Sequence, residues 1–337
     1  MFSKQVGVDL GTSNIRVYVR GRGVVLNEPT VVAHSATDER VLAIGRDARE
    51  MEERSPARVL ITRPIRNGVI ADYGVTTLLL RHVLRRVIGG LNLARPTVMV
   101  CIPAGVTNVE SRAVLDATLQ AGAREAHLIA APLAAAIGAN LPLASPSGNM
   151  LVDVGGGTCE AAVLSLNDIV VSSTMRQGSA RIDELIVTFL KRRHNLIVGR
   201  HTAEDLKLQT GSAVPQSENV YVDVRGLDQV SGLPKTISVG SWEITEAISE
   251  MTAAIVANVR SVLEQTPPEL ASDVVDKGMI LTGGGALLRN LDKLLTRETG
   301  IPGFVAEDPT GCVAIGAGKA LEHYRVYRDS LLHTGGG

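Results

Sequence analysis

Two aspartates, each set just before a tight turn of glycine and hydroxyl residues, carry the chemistry this sequence could do. In V-G-V-D-L-G-T-S-N-I-R-V-Y-V an apolar run leads to Asp9, then to Gly11, Thr12, Ser13 and Asn14, then to a second apolar run. M-L-V-D-V-G-G-G-T-C-E-A-A-V-L repeats that grammar with Asp153, Gly155, Gly156, Gly157 and Thr158. Glycine turns let backbone N–H groups approach a ligand without Cβ obstruction, and clustered N–H groups form an anion-binding concavity. An aspartate before such a turn does not hold phosphate itself, but it suits a hydrated Mg²⁺ riding on one. A lone G-G-G-T reads most simply as a glycine hairpin between strands. Its recurrence with a second aspartate points to two related halves facing one nucleotide. A third glycine turn, Gly283, Gly284 and Gly285, follows the apolar run M-I-L-T and precedes Ala286.

Strands and helices must hold these turns in place, and their alternation is that of an α/β sheet. Strands are expected over 24–32, 40–44, 97–102 and 126–130, with helices over 47–53, 75–88 and 109–121. Within 75–88, Leu79, Val83, Leu84 and Val87 mark the buried stripe, and Arg81, Arg85 and Arg86 the far face. The stretch 126–152 has no charged residue, yet Pro132, Pro142 and Pro146 break any continuous apolar helix there. It reads as a buried helix over 133–139 and a linker. In the second half, strands are expected over 169–173, 221–224 and 236–239, and helices over 181–193 and 202–210, the latter capped by Thr202. A long helix over 242–263 is closed by Pro267 and Pro268, and another spans 285–297. A small-residue helix with Ala314, Gly316, Ala317 and Gly318 is expected to pack closely on a neighbour, ahead of a frayed tail over 331–337.

The chain of 337 residues exceeds the roughly 100–200 residues of one domain, so two domains are expected. Hydrophobic residues at 45% and charged residues at 20% suffice for sizeable cores and argue against disorder. A net charge of −1 supplies no field that would steer the chain to nucleic acid. Cys101, Cys159 and Cys312 are odd in number and scattered, neither a disulfide framework nor a metal box, as in a reduced cytosolic protein. The first residues lack the apolar core of a signal peptide.

The motifs D-L-G-T-S-N, D-V-G-G-G-T, T-A-E-D-L-K and T-G-G-G resemble those of the actin and sugar-kinase superfamily. More narrowly, the chain is similar to the MreB family of bacterial actins. L-N-E-P-T-V-V (26–32), R-P-I-R-N-G-V-I-A-D-Y (63–73), A-A-A-I-G-A (134–139) and T-P-P-E-L (266–270) carry that likeness, which runs over about residues 4–325. The resemblance implies an actin-like α/β fold: two related domains, each with a core sheet flanked by helices and a smaller inserted subdomain, with ATP in the cleft between. Domain I would cover 1–144, with an insert about 33–68 and a C-terminal helix about 312–326 packing back on it. Domain II would cover 145–311, with an insert about 181–241. Asp9 and Asp153 would organise Mg²⁺ through water, while Thr12, Ser13, Asn14, Gly155, Gly156, Gly157 and Thr158 would cradle phosphates. Glu204 and Lys207 would touch ribose and base, with Asp205 and Leu206 in the same nucleotide segment. Gly283, Gly284, Gly285 and Ala286 would lie against the adenine. Without the glycine motifs, Glu204 and Lys207 read as a solvated helix salt bridge.

Two departures from the family pattern stand out. MreB-like proteins carry an acidic pair before P-x-A-A-A-I-G, and a carboxylate there places the attacking water; this chain has Ala130 and Ala131. Losing a placed base costs about 10²–10⁴-fold in rate. Either hydrolysis is weak or absent, or another group holds the water; Asp9 and Asp153 are already committed to the metal. In Q-G-S-A-R-I-D, Ser179 and Arg181 stand where the family has an acid after the glycine, and Asp183 is retained. Family members reach the bilayer by an N-terminal amphipathic helix or an exposed apolar loop. No such helix fits before Gly7, and G-G-L-N-L-A-R offers Leu91 and Leu93, which read either as lipid-inserting or as core residues. The implied partners are further copies of the chain, the inner face of the cytoplasmic membrane, and cell-wall synthesis and shape proteins. A cell-shape filament leads; a plasmid- or organelle-positioning actin and a small-molecule kinase of the superfamily are the other classes, and the MreB-like segments weigh against the kinase.

Overall fold

The computed structural model describes residues 4–38, 40–52, 54, 58–89 and 95–332. Strands β1 (Gln5–Leu10), β2 (Asn14–Val19) and β3 (Gly23–Pro29) form an antiparallel meander. The third strand stops at Pro29 instead of running on to Val32. Proline has no N–H to continue a ladder, and Thr30 turns inward, donating its hydroxyl to the Gly11 carbonyl at 2.8 Å and its N–H to the Ser13 carbonyl at 2.9 Å. The chain then enters a separate small sheet, β4 (Val32–Ser35), β5 (Val41–Ile44) and β6 (Val59–Thr62), with α1 (Arg46–Met51) packed on it around Val31, Ala33 and Ala48. A two-stranded ribbon, β7 (Ile65–Arg66) and β8 (Val69–Ile70), leads to α2 (Tyr73–Ile88), whose cap is Asp72 accepting the Val75 N–H at 2.9 Å. Leu79, Val83, Leu84 and Val87 are buried as their spacing predicts. Strand β9 (Thr97–Ile102) lies parallel to β1, and after α3 (Asn108–Gln120) β10 (Glu125–Ala130) lies parallel to β9. The sheet order is β10-β9-β1-β2-β3.

After α4 (Ala131–Gly138) the plan repeats. Strands β11 (Asn149–Val154), β12 (Cys159–Ser165) and β13 (Asp168–Met175) form a second antiparallel meander. Next come α5 (Ser179–His194), β14 (Leu196–Ile197), α6 (Arg200–Thr210), and the hairpin β15 (Tyr221–Asp228) and β16 (Pro234–Gly240). Gly199 precedes α6, so Thr202 lies inside the helix and caps nothing. The expected helix over 242–263 is two, α7 (Ser241–Ala247) and α8 (Ser249–Gln265), joined at Ile248 with φ −95° and ψ 0°. That bend lets Ile244, Ile248, Met251 and Ile255 all reach one core. Pro268 starts a helix as well as ending one: α9 (Pro268–Lys277) has it in the first turn, where its missing N–H is harmless. Strand β17 (Met279–Thr282) lies parallel to β11, and the expected helix over 285–297 is a 3-10 turn, Gly284–Leu287, followed by α10 (Leu291–Thr299). With β18 (Gly303–Val305) the second sheet has the order β13-β12-β11-β17-β18, which matches the first read from β3 to β10. The chain ends in α11 (Cys312–Glu322) and α12 (Tyr324–Tyr327). Leu331 and Leu332 are not frayed: Leu331 is buried and the Leu332 N–H reaches the Leu128 carbonyl at 3.2 Å.

Each sheet has its own core, and a third cluster joins them through α4 and α11. These helices are built of small residues because their backbones touch. A Cβ on Gly316 would collide with the Ala134 carbonyl oxygen, and one on Gly138 with that of Cys312. Close packing of this kind transmits displacement instead of absorbing it. The three cysteines are buried free thiols.

Candidate functional site

Antiparallel pairing of β1 with β2 brings Asp9 opposite Arg16, and pairing of β11 with β12 brings Asp153 opposite Glu160. Since cross-strand partners share a sheet face, Asp9 and Arg16 lie on one face of their sheet, and Asp153 and Glu160 on one face of theirs. The two turns meet tip to tip: a Cβ on Gly156 would strike the Ser13 hydroxyl, and one on Gly157 the Thr12 hydroxyl. Together they line a cavity of about 330 Å³, within the range of small-molecule sites. Asp9, Thr12, Ser13, Asn14, Asp153, Gly155, Gly156, Gly157 and Thr158 all border it, so the structure brings the predicted phosphate and cation residues together. Thr12 Oγ1 accepts the Gly68 N–H at 3.0 Å, and the Gly155 N–H closes its own turn on the Thr158 carbonyl at 2.9 Å.

The cavity concentrates negative charge. Burial pushes the Asp9 carboxyl up to about 6; Arg16, at 3.5 Å, opposes that and Asp153 adds to it. Burial raises Asp153 too, partly offset by the Thr282 hydroxyl donating to Oδ1 at 2.8 Å. Glu160, fully buried, rises to about 7, chiefly from desolvation and further from Asp153. Its Oε1 accepts the Ala104 N–H and the Thr174 hydroxyl, each at 2.8 Å. Three desolvated carboxyls at one cavity favour a cation or protons there.

At the other end, Glu204, Lys207, Gly283, Gly284 and Gly285 border the same cavity. Gly283 has φ +81°, a left-handed conformation suited to glycine, as the turn leaves β17. Glu204 and Lys207 do not pair with each other. Glu204 is held by Arg49 of α1, and Lys207 forms an ion pair with Asp183 of α5 at 2.7 Å. Three predicted residues stand elsewhere: Asp205 is exposed, and Leu206 and Ala286 belong to the core of the second half. Of the two alanines, Ala131 borders the cavity and Ala130 is in the core joining the sheets. Ser179 and Asp183 border it as well, whereas Arg181 turns toward Glu184 at 3.2 Å and lines a neighbouring cleft of about 550 Å³. Leu91 and Leu93 lie outside the described residues. Sequence reasoning missed Glu160 and Arg16; the signal available was that each sits opposite a predicted aspartate once the hairpin register is drawn.

Two sheets of equal strand order, joined by crossing small-residue helices, with acid-bearing hairpins opposed across a cleft, define an actin-like protein. The structure matches MreB5 of Spiroplasma citri bound to AMPPNP with a TM-score of 0.92 at 32% identity, covering 98% of this chain and 99% of that one. It matches a MamK double helical filament in fold, with a TM-score of 0.81 at 21% identity, over 95% and 99% of the two chains. The MreB/Mbl protein family profile matches residues 3–329. Cell shape-determining protein MreB of Escherichia coli K12 is 49% identical over 336 residues, 98% of this chain and 97% of that protein. Cell shape-determining protein Mbl of Bacillus subtilis 168 is 44% identical over 324 residues, 96% and 97%. The chain belongs to the MreB/Mbl family of actin-like, cell shape-determining proteins.

Proposed function

We propose that the cleft binds ATP with Mg²⁺, that the bound state assembles into filaments of this chain at the inner face of the cytoplasmic membrane, and that hydrolysis is slow. Such filaments would organise cell-wall synthesis through shape proteins. The observation that carries the reading is the pair of opposed hairpins with Asp9 and Asp153 desolvated beside the glycine turns. The AMPPNP and ADP in the Spiroplasma relatives support nucleotide in the cleft. Asp9 and Asp153 would hold Mg²⁺ through water. Among the described residues no group of three or more His, Cys, Asp or Glu side chains could hold a metal ion, so phosphate and water would complete its shell, as that cation prefers. When bound, the cation neutralises phosphate charge.

Hydrolysis would be slow because Ala131 brings no carboxylate to its part of the cavity wall, and the turnover that remains would depend on another group. Residues 1–144 with the helix about 312–326, and residues 145–311, would be the units that close on nucleotide, with the inserts about 33–68 and 181–241 at the mouth. Closure would bias subunit contacts by as much as the nucleotide prefers the closed state. No helix among the described residues is long and apolar enough to cross a membrane. Leu91 and Leu93 would make a peripheral contact, each contributing up to about 1.5–3 kcal/mol when buried in lipid and multiplied by avidity along a filament. Phosphate release and sedimentation, measured on one purified sample with ATP and Mg²⁺, test the reading. Polymer with slow release is expected. A chain that neither binds nucleotide nor sediments overturns it, and brisk release overturns slow hydrolysis.

A further inference from the structure

We propose that Glu160 is the carboxylate that holds and deprotonates the attacking water, the task for which Ala131 has no group. The proposal rests on the reading that the cleft binds ATP. Glu160 is completely buried, borders the cavity, and is the cross-strand partner of Asp153, so it faces the space that Asp153 addresses. One oxygen is fixed: Oε1 takes both the Ala104 N–H and the Thr174 hydroxyl at 2.8 Å. The other, Oε2, is buried without a hydrogen-bond partner. Buried carboxylate oxygens are seldom left so, and each one calls for a bound water, an ion or a catalytic use. The other acids at the cavity are engaged: Asp9 by Arg16, Asp153 by Thr282, Asp183 by Lys207 and Glu204 by Arg49. Glu160 thus has one oxygen held by two donors and the other buried without a hydrogen-bond partner at the cavity wall.

In the reaction, the water oxygen bonds to the γ-phosphorus as the bond from that phosphorus to the β–γ bridging oxygen breaks, its electron pair leaving with ADP. One water proton passes to Glu160 Oε2 and then to solvent. The other stays on the phosphate, released as HPO₄²⁻.

Glu160→Gln keeps an oxygen for the Ala104 and Thr174 donors and removes the base, so it separates anchoring from catalysis. On the full-length chain, this variant is expected to bind AMPPNP within about twofold of the wild type while single-turnover phosphate release falls about 10²–10⁴-fold, the loss typical of a placed base. Affinity for ADP with aluminium fluoride, which mimics the phosphoryl in transfer, is expected to fall about tenfold or more. Adding Ala131→Glu to Glu160→Gln is expected to restore release. Thr174→Val, which removes one anchor, is expected to slow release several-fold with AMPPNP binding intact, and this serves as the test if the glutamine variant does not fold. Wild-type release, or wild-type affinity for the fluoride complex, in a Glu160→Gln chain that binds AMPPNP overturns the assignment; so does a wild type that binds AMPPNP but releases no phosphate above background. A wild type that binds neither AMPPNP nor ADP overturns the nucleotide reading on which it rests.

Discussion

At the scale of single residues, the cleft stores desolvated acid. Asp9 keeps its proton up to about pH 6 and Glu160 up to about pH 7, against ordinary values of 3.8 and 4.5. Between those limits the folded protein binds more protons than the unfolded chain, so unfolding free energy falls as pH rises and levels off above the upper limit. Metal- and nucleotide-free protein is therefore expected to be more stable to urea at pH 5 than at pH 7.5, and Glu160→Gln is expected to show a shallower decline. A wild type that gains stability over that interval would refute the assignment of burial as the dominant cause. Glu110, held down to about 2 by Arg176, acts in the opposite sense, but at lower pH and so outside this interval.

At the scale of elements, caps and close contacts decide what a substitution costs. Thr107 and Glu110 form a reciprocal capping box at the start of α3: the Glu110 N–H reaches the Thr107 hydroxyl at 3.3 Å, and the Thr107 N–H reaches Glu110 at 2.8 Å. Thr107→Ala is expected to cost about 0.5–2 kcal/mol in chemical denaturation, the usual loss for a cap. Helices α4 and α11 are in backbone contact at Gly138 and Gly316. Gly316→Val forces them apart and is expected to cost at least about 1–3 kcal/mol, as overpacking does. Since these helices join the two sheet cores, the same variant is expected to weaken nucleotide binding although it touches no predicted ligand residue. Parallel titration with AMPPNP reads that out.

For the molecule as a whole, contacts cross the cleft mouth to α6: Arg49 of α1 forms an ion pair with Glu204, and Glu52, just past α1, lies 3.8 Å from the His201 ring. These side chains are partly exposed, and exposed pairs contribute at most about 1 kcal/mol to stability. Arg49→Ala is expected to leave the urea midpoint nearly unchanged while speeding release of a fluorescent nucleotide several-fold, because Glu204 would no longer tie the two halves together. An unchanged release rate in stopped flow would show that the pair latches nothing.

Much of this was legible in the chain itself. The hairpins around Asp9 and Asp153, the span of β9 and the buried stripe of α2 follow from turn chemistry and apolar periodicity, which act over a few residues. The bend at Ile248 and the stop at Pro29 were not legible. They are decided by the core that Ile244 and Met251 share and by the bonds of Thr30 to a turn far back in the chain. Glu160 was hidden because all of β12 is buried, so no alternation marks its facing side, and its anchors come from Ala104 and Thr174 on other segments. The sequence by itself determined the family, the repeated halves and the presence of alanine at 130 and 131. Only the tertiary structure decided that Ala131 faces the cavity, that Glu204 and Lys207 have separate partners, and that a buried carboxylate at 160 keeps one oxygen unengaged; those are contacts between segments brought together only by packing.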